Sequence, residues 1–396
     1  MSGAIFRLVY ALLGGEHMFD FLLFADDAEY IANDRGERFS ILLAIAVALA
    51  LGMPFKWAKF RGGFQVSWVG YGIDFKLYAI GLTEARAAWV TGWTDKLVES
   101  GFVNVSEFHS GLGRLNYAAQ ALYYERAFLG LLYLWLGSLI HSSQRRATIP
   151  WAIRLVLKWI GRRMADSVAE CGRLQVAPHR SQASVEWFRT DAKAEGGRAW
   201  IGGWELLGNL APFESRWFSM EITREEAPWI FAKERDPQRV IAALELLASM
   251  VAIALFDPEA KRGGLSECTL TGSTDNRGNT YIVTKLASTK WPITTLLIEL
   301  SEQLRKRGAI LNLTWKKRDD NSEADALTNC DFSKFNPELR IDKRFSDISW
   351  IVLDEIMDLS SQLYREVASQ RSKGNLPART YRRQAILKRL KWSDPW

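Results

Sequence analysis

The chain has 396 residues, 48% apolar and 24% charged, an ordinary globular balance with enough length for two or three separate cores. The formal net charge of +6 permits a polyanionic partner without demanding one. Three cysteines (Cys171, Cys268, Cys330) and four histidines (His17, His109, His141, His179) lie far apart, which excludes a disulfide framework and a zinc cluster and points to a reducing intracellular compartment, cytoplasmic or nuclear.

The first informative element is the apolar run Phe21-Leu22-Leu23-Phe24-Ala25, which delivers Asp26 and Asp27 to a hairpin turn. In a solvated turn such a pair is ordinary. Buried, the two carboxylates repel each other unless a cation sits between them. A strand presenting Asp-Asp at a turn suits Mg²⁺ and nucleotidyl transfer. The run Ile41–Met53 is strongly apolar but shorter than the ~20 residues a bilayer needs, and it meets Pro54 and Lys56 directly. It reads as a helix packed on a sheet, and no membrane is expected. A second hairpin spans Phe64 to Tyr78.

These pieces resemble the reverse transcriptases of retroelements. Phe24-Ala25-Asp26-Asp27 matches the family's Asp-Asp hairpin, Lys59 its Lys-bearing loop, and Trp68-Val69-Gly70-Tyr71 the hairpin that grips the primer. Gly111-Leu112-Gly113-Arg114-Leu115-Asn116-Tyr117-Ala118-Ala119 is similar to the family's thumb. The resemblance implies catalytic, metal-binding roles for Asp26 and Asp27, and nucleic-acid contacts at Lys59, Trp68 and Gly70. It also implies a third carboxylate on an upstream strand, yet only twenty-five residues precede Asp26. On this reading residues 1–82 are a truncated polymerase palm remnant. Polymerase function is incomplete in this chain and needs the missing N-terminal polymerase segment as a partner.

Residues 83–142 read as a helical thumb, opened by the capping pattern Thr83-Glu84-Ala85-Arg86. Residues 143–184 are rich in arginine and read as a basic connector with a helix from Pro150 to about Cys171.

From residue 185 the pattern changes. Glu186–Asp191 reads as a strand ending in an acid, Gly196-Gly197 as a turn, and Arg198–Gly203 and Trp217–Ile222 as two more strands. Gln238–Leu255 is apolar and helical, with Glu245 inside it. Glu267–Ser273 is a strand that leads to Thr274-Asp275-Asn276. Thr294–Arg307 is a helix, Ala309–Trp315 a strand, and Asn321 opens a last helix that carries Asp325. The fold class is α/β (α+β), and residues 185–332 form a mixed-sheet domain. Four acids placed at these points can converge at one end of a sheet. Carboxylates are hard ligands suited to two Mg²⁺ ions, with Mn²⁺ as the alternative.

This half resembles the ribonuclease H domain of retroelements, with DIRS-type elements the nearest in phrasing. Thr190-Asp191-Ala192, Ile241 to Ala248 around Glu245, Thr274-Asp275-Asn276, and Asn321-x-x-Ala324-Asp325-Ala326-Leu327 match its four motifs in order. The resemblance implies that Asp191, Glu245, Asp275 and Asp325 bind two metals and catalyse hydrolysis of the RNA strand of RNA–DNA hybrids. Two features depart from the pattern. Fifty-four positions separate Asp191 from Glu245, which suggests an insertion around Asn209–Ser215. No histidine follows His179, so a loop histidine before the last Asp has no counterpart; Lys316, Lys317 or Arg318 are the candidates for its role. These three are also candidate contacts to an RNA–DNA hybrid or a DNA/RNA duplex, together with the basic, helical tail 333–396. The alternative function is a catalytically silent nucleic-acid-binding remnant.

Overall fold

A computed structural model of the chain describes residues 7, 9–10, 19–24, 27–33, 35–142, 144–165, 173–176, 185–206, 210–232, 236–256 and 268–373. The chain is mixed α and β and divides into two units, Met1–Ala79 and Ile80–Trp396.

In the first unit β1 (Phe19–Phe24) and β2 (Asp27–Ala32) form an antiparallel hairpin whose register closes at Phe24 opposite Asp27. Helix α1 (Arg35–Ala50) packs Ala44 and Ala48 in a small core with Phe19 and Met53. A second hairpin pairs β3 (Gln65–Trp68) with β4 (Tyr71–Asp74). Its two-residue turn needs positive φ at both positions, and Val69 (49°) and Gly70 (80°) supply it. Only the glycine adopts that conformation without steric cost.

The second unit begins within strand β5 (Ala79–Leu82), which leads to α2 (Glu84–Ser100). The expected helical stretch 83–142 is interrupted. Gly101, at φ 69°, ends α2 in a left-handed cap whose N–H donates to Leu97. Strand β6 (Phe102–Asn104) then leads into α3 (Val105–Ala118), with the Asn104 side chain accepting from the Ser106 N–H. Helix α4 (Arg126–His141) is followed by β7 (Arg146–Thr148), which pairs with β6, then α5 (Trp151–Ala165) and β8 (Leu174–Val176).

The centre of this unit is a five-stranded sheet in the order β11-β10-β9-β12-β13. Strands β9 (Glu186–Glu195), β10 (Arg198–Glu205) and β11 (Trp217–Ile222) form an antiparallel meander. Strand β12 (Cys268–Thr274) runs parallel to β9, and β13 (Ala309–Trp315) parallel to β12. The expected end of the first strand at Asp191 is corrected: small inward residues continue at Ala192 and Ala194, and the ladder with β10 carries on to Glu195. The span between Asp191 and Glu245 is filled in two places, the β10–β11 connection and a longer link, residues 223–240, that leads into α6 (Ile241–Phe256).

Helix α6 is apolar on all sides. It belongs to the one helix, Pro237–Phe256, long and apolar enough to cross a membrane among the described residues, and 72% of that window is buried inside the protein. It lies on one face of the sheet, where Thr190 meets Ser249 at 3.1 Å. Helices α7 (Arg277–Lys285) and α8 (Ile293–Lys306) follow β12. The opposite face carries α9 (Ser322–Thr328), which approaches closely because Gly202 leaves room for Leu327. Ser219 donates to the Leu327 carbonyl there at 2.7 Å.

The segment expected to be a basic tail begins as core. Phe335, like Phe332 just before it, packs its ring at a tilt against Trp217, and the Ile341 N–H donates to the Trp217 carbonyl. Helix α10 (Leu353–Lys373) buries Leu353, Ile356, Met357, Leu363 and Val367. Residues 374–396, with six of the tail's thirteen basic residues, lie outside the described residues. Helical and sheet portions share one hydrophobic core. A buried ionic network reinforces it: Arg163 of α5 pairs with Glu125 at 3.1 Å and also with Glu302 of α8, and the Arg163 guanidinium lies over Phe128.

Gly272 of β12 is a packing constraint, because a Cβ there would stand 2.2 Å from the fully buried Phe188 ring. Gly272→Ala is expected to cost about 1–3 kcal/mol through overpacking. Adding Phe188→Leu should recover part of that loss in urea unfolding. A fully additive double mutant would show that the clash is not the cause.

Candidate metal centre

Two parallel strands and two helices assemble the site. Asp191 sits within β9, the middle strand, and Asp275 directly follows β12, its parallel neighbour. Ser273 pairs with Arg189, so two residues further along each chain Asp275 is level with Asp191. A β-bulge makes this alignment. Thr271 pairs with Glu186, but Gly272 pairs with Phe188, so the ladder skips Trp187. In an unbroken ladder Asp275 would fall beside Thr190, which faces α6. Asp191 faces the other way and accepts from Thr328 of α9 at 2.8 Å.

Glu245 enters from α6, and Thr274 donates to its Oε2 at 3.2 Å. Carboxylate oxygens of Asp191, Glu245 and Asp275 all lie within 4.8 Å of one another. Asp191 is 5% exposed and Glu245 4%. Besides these threonines and the backbone, Glu245 shares a side-chain hydrogen bond with Asp275, and no cationic side chain is bonded to either carboxylate among the described residues.

The electrostatics follow from that enclosure. Burial pushes the Asp191 carboxyl up to about 6, the neighbouring Asp275 and Asp325 add to the rise, and the Thr328 hydrogen bond opposes it. Burial likewise pushes Glu245 well above the usual carboxylate range, helped by Asp191 and Asp275. Three close carboxylates with little compensation fit a hard divalent cation, whose charge would replace the proton that the buried acids otherwise retain.

Asp325 stands beside this group without joining it. Its Oδ1 accepts from Arg318 at 2.7 Å and its Oδ2 from Asn329 at 2.8 Å. The Asn329 side-chain oxygen in turn accepts from Lys193 at 2.9 Å. Of the other expected contacts, Lys316 pairs with Glu186 at 3.0 Å and Lys317 is exposed. In the first unit Asp27 is exposed at the start of β2, Lys59 is exposed, Trp68 borders the β3–β4 turn and Gly70 lies in it. Asp26 lies outside the described residues.

Thr274 was expected only as part of a motif, without a role, and the sequence motifs stop short of Thr328 and Asn329. Thr328 follows Asp325 by three positions, one helical turn, and that spacing was an available signal. Neither a protein-family model nor a curated protein matches the chain.

Proposed function

We propose that the second unit hydrolyses the RNA strand of RNA–DNA hybrids with two Mg²⁺ ions, as the ribonuclease H-like part of a retroelement reverse transcriptase. The observation that carries the reading is the meeting of Asp191, Glu245 and Asp275, two of them buried and none in a direct ion pair among the described residues, at a sheet whose first strand is central and whose fourth is parallel to it. The sequence order of these acids and their supporting elements is the order that the resemblance implies.

Asp191, Glu245 and Asp275 would hold one ion, and Asp325 would complete a second position beside it. When bound, the ions supply an activated water and stabilise the leaving 3′ oxygen. Thr274 and Thr328 orient Glu245 and Asp191 through their hydroxyls. The β9–β12 ladder fixes the spacing between Asp191 and Asp275. Exposed Arg318 lies next to the cluster, where a cation attracts a phosphodiester backbone, and exposed Lys317 precedes it in the chain.

Cleavage of a labelled RNA–DNA hybrid tests this. Loss of the RNA strand should require Mg²⁺, stop with chelator, and fall by about 10³-fold or more in Asp275→Asn. Binding without cleavage in the wild-type chain would reject the hydrolytic reading and leave a nucleic-acid-binding remnant.

A further inference from the structure

We propose that Arg318 is a positioning residue that keeps Asp325 from the second metal position until a backbone phosphate draws its guanidinium away; this rests on the two-metal reading above. The four acids are not equivalent. Three of them have ligand atoms within 4.8 Å of one another, and Asp325 is not in that group. Both Asp325 oxygens are engaged, Oδ1 by two nitrogens of Arg318 (2.7 and 3.2 Å) and Oδ2 by Asn329. A second divalent ion approaching Asp325 therefore meets a guanidinium already there, with its like charge. At the first position, on Asp191, Glu245 and Asp275, Arg318 acts only through its field on Asp191 and Asp275 and makes its direct ion pair with Asp325 alone.

The latch is easy to open. Arg318 is 74% exposed and reaches Asp325 from the loop that precedes α9. Exposed ion pairs are weak, so a competing partner displaces them readily. A guanidinium matches the two oxygens of a phosphate as well as those of a carboxylate. A nucleic-acid phosphate at this edge would take Arg318 and release Asp325 in one exchange. Asn329, bonded to Lys193 on its other side, would remain and hold the freed carboxylate in place. Substrate arrival and second-metal binding become linked through one side chain.

Mn²⁺ binding to the full chain, followed by the electron paramagnetic resonance signal of the free ion, tests the linkage without any turnover. The wild-type chain should show a tighter and a weaker site. Arg318→Gln should tighten the weaker site by about fivefold, the range of an exposed ion pair, and the tighter one by less, because Arg318 reaches Asp191 and Asp275 only through its field. That difference should narrow as salt rises. Equal weak-site affinities in the two proteins, or weaker binding in Arg318→Gln, would overturn the role of Arg318. Asp275→Asn separates this from failure of the underlying reading: it should abolish the tighter site, and unchanged Mn²⁺ binding in that variant would reject the metal centre itself.

Discussion

Replacing Asp191 by Asn is expected to stabilise the metal-free protein at pH 8 while it abolishes metal-dependent activity. Asp191 has its folded-state pKa raised from 3.8 to about 6, chiefly by burial. The folded state thus binds a proton more tightly than the unfolded chain. That contribution to stability is fully present below about pH 4 and is lost as pH rises through about 6. The loss corresponds to roughly 3 kcal/mol. Glu245, also raised, acts in the same direction. Asparagine keeps the shape and still accepts from Thr328, but carries no charge to desolvate. Thermal unfolding at pH 5 and pH 8, with chelator and with Mg²⁺, would measure this. In chelator the wild-type protein should lose stability between the two pH values, and Asp191→Asn should lose less, with a gap of roughly 5–10 °C at pH 8. Mg²⁺ should raise the wild-type Tm most at the higher pH, because binding then displaces no proton. A variant less stable than wild type at pH 8 in chelator would show that the carboxylates are already compensated.

Glu299→Ala is expected to be among the most damaging single substitutions, although it lies outside the acidic cluster. Glu299 of α8 is fully buried, and its carboxylate accepts the backbone N–H groups of Ile351, Val352 and Leu353. These are donors at the start of α10 that no helical carbonyl can satisfy. The carboxylate also faces the positive end of the helix dipole. One side chain therefore terminates α10 and ties it to α8. Removing it strands several donors at a largely enclosed point and should cost about 2–4 kcal/mol. Glu299→Gln keeps an acceptor and should lose about 1 kcal/mol, the share due to charge. Urea unfolding gives both values, and hydrogen exchange at Leu353 should quicken first. Equal losses for Ala and Gln would mean that the hydrogen bonds contribute nothing beyond the charge.

Much of the sheet was legible because its strands alternate clearly. Trp217–Ile222 and Ala309–Trp315 have the bounds that their patterns predict. Glu245 was legible because a lone acid inside an apolar helix has few inexpensive explanations. Helix α7 was not: its first turn, Arg277-Gly278-Asn279, has poor helix propensity. It is held instead by the Asn276 cap and by Asn279, which donates to the Ala242 carbonyl of α6 at 2.9 Å. A helix was expected in the tail, but the basic composition around α10 hid its burial, although Ile356, Ser360, Leu363 and Val367 repeat at a helical period and are all buried. The contacts of the centre depend on residues far apart in the chain. Thr328 reaches Asp191 across 137 positions, and no local pattern carries such a pairing.

The skipped residue in the β9–β12 ladder has a consequence for how this centre tolerates change. The partnership of Asp191 with Asp275 depends on a count of peptide units, because one residue more or fewer upstream of Asp191 exchanges the two faces of β9. Side chains along Glu186 to Arg189 can vary in identity within their packing limits, whereas the number of links between the bulge and Asp191 cannot. An in-frame loss of one codon there would leave all four carboxylates in the gene and still turn Asp191 away from the other acids.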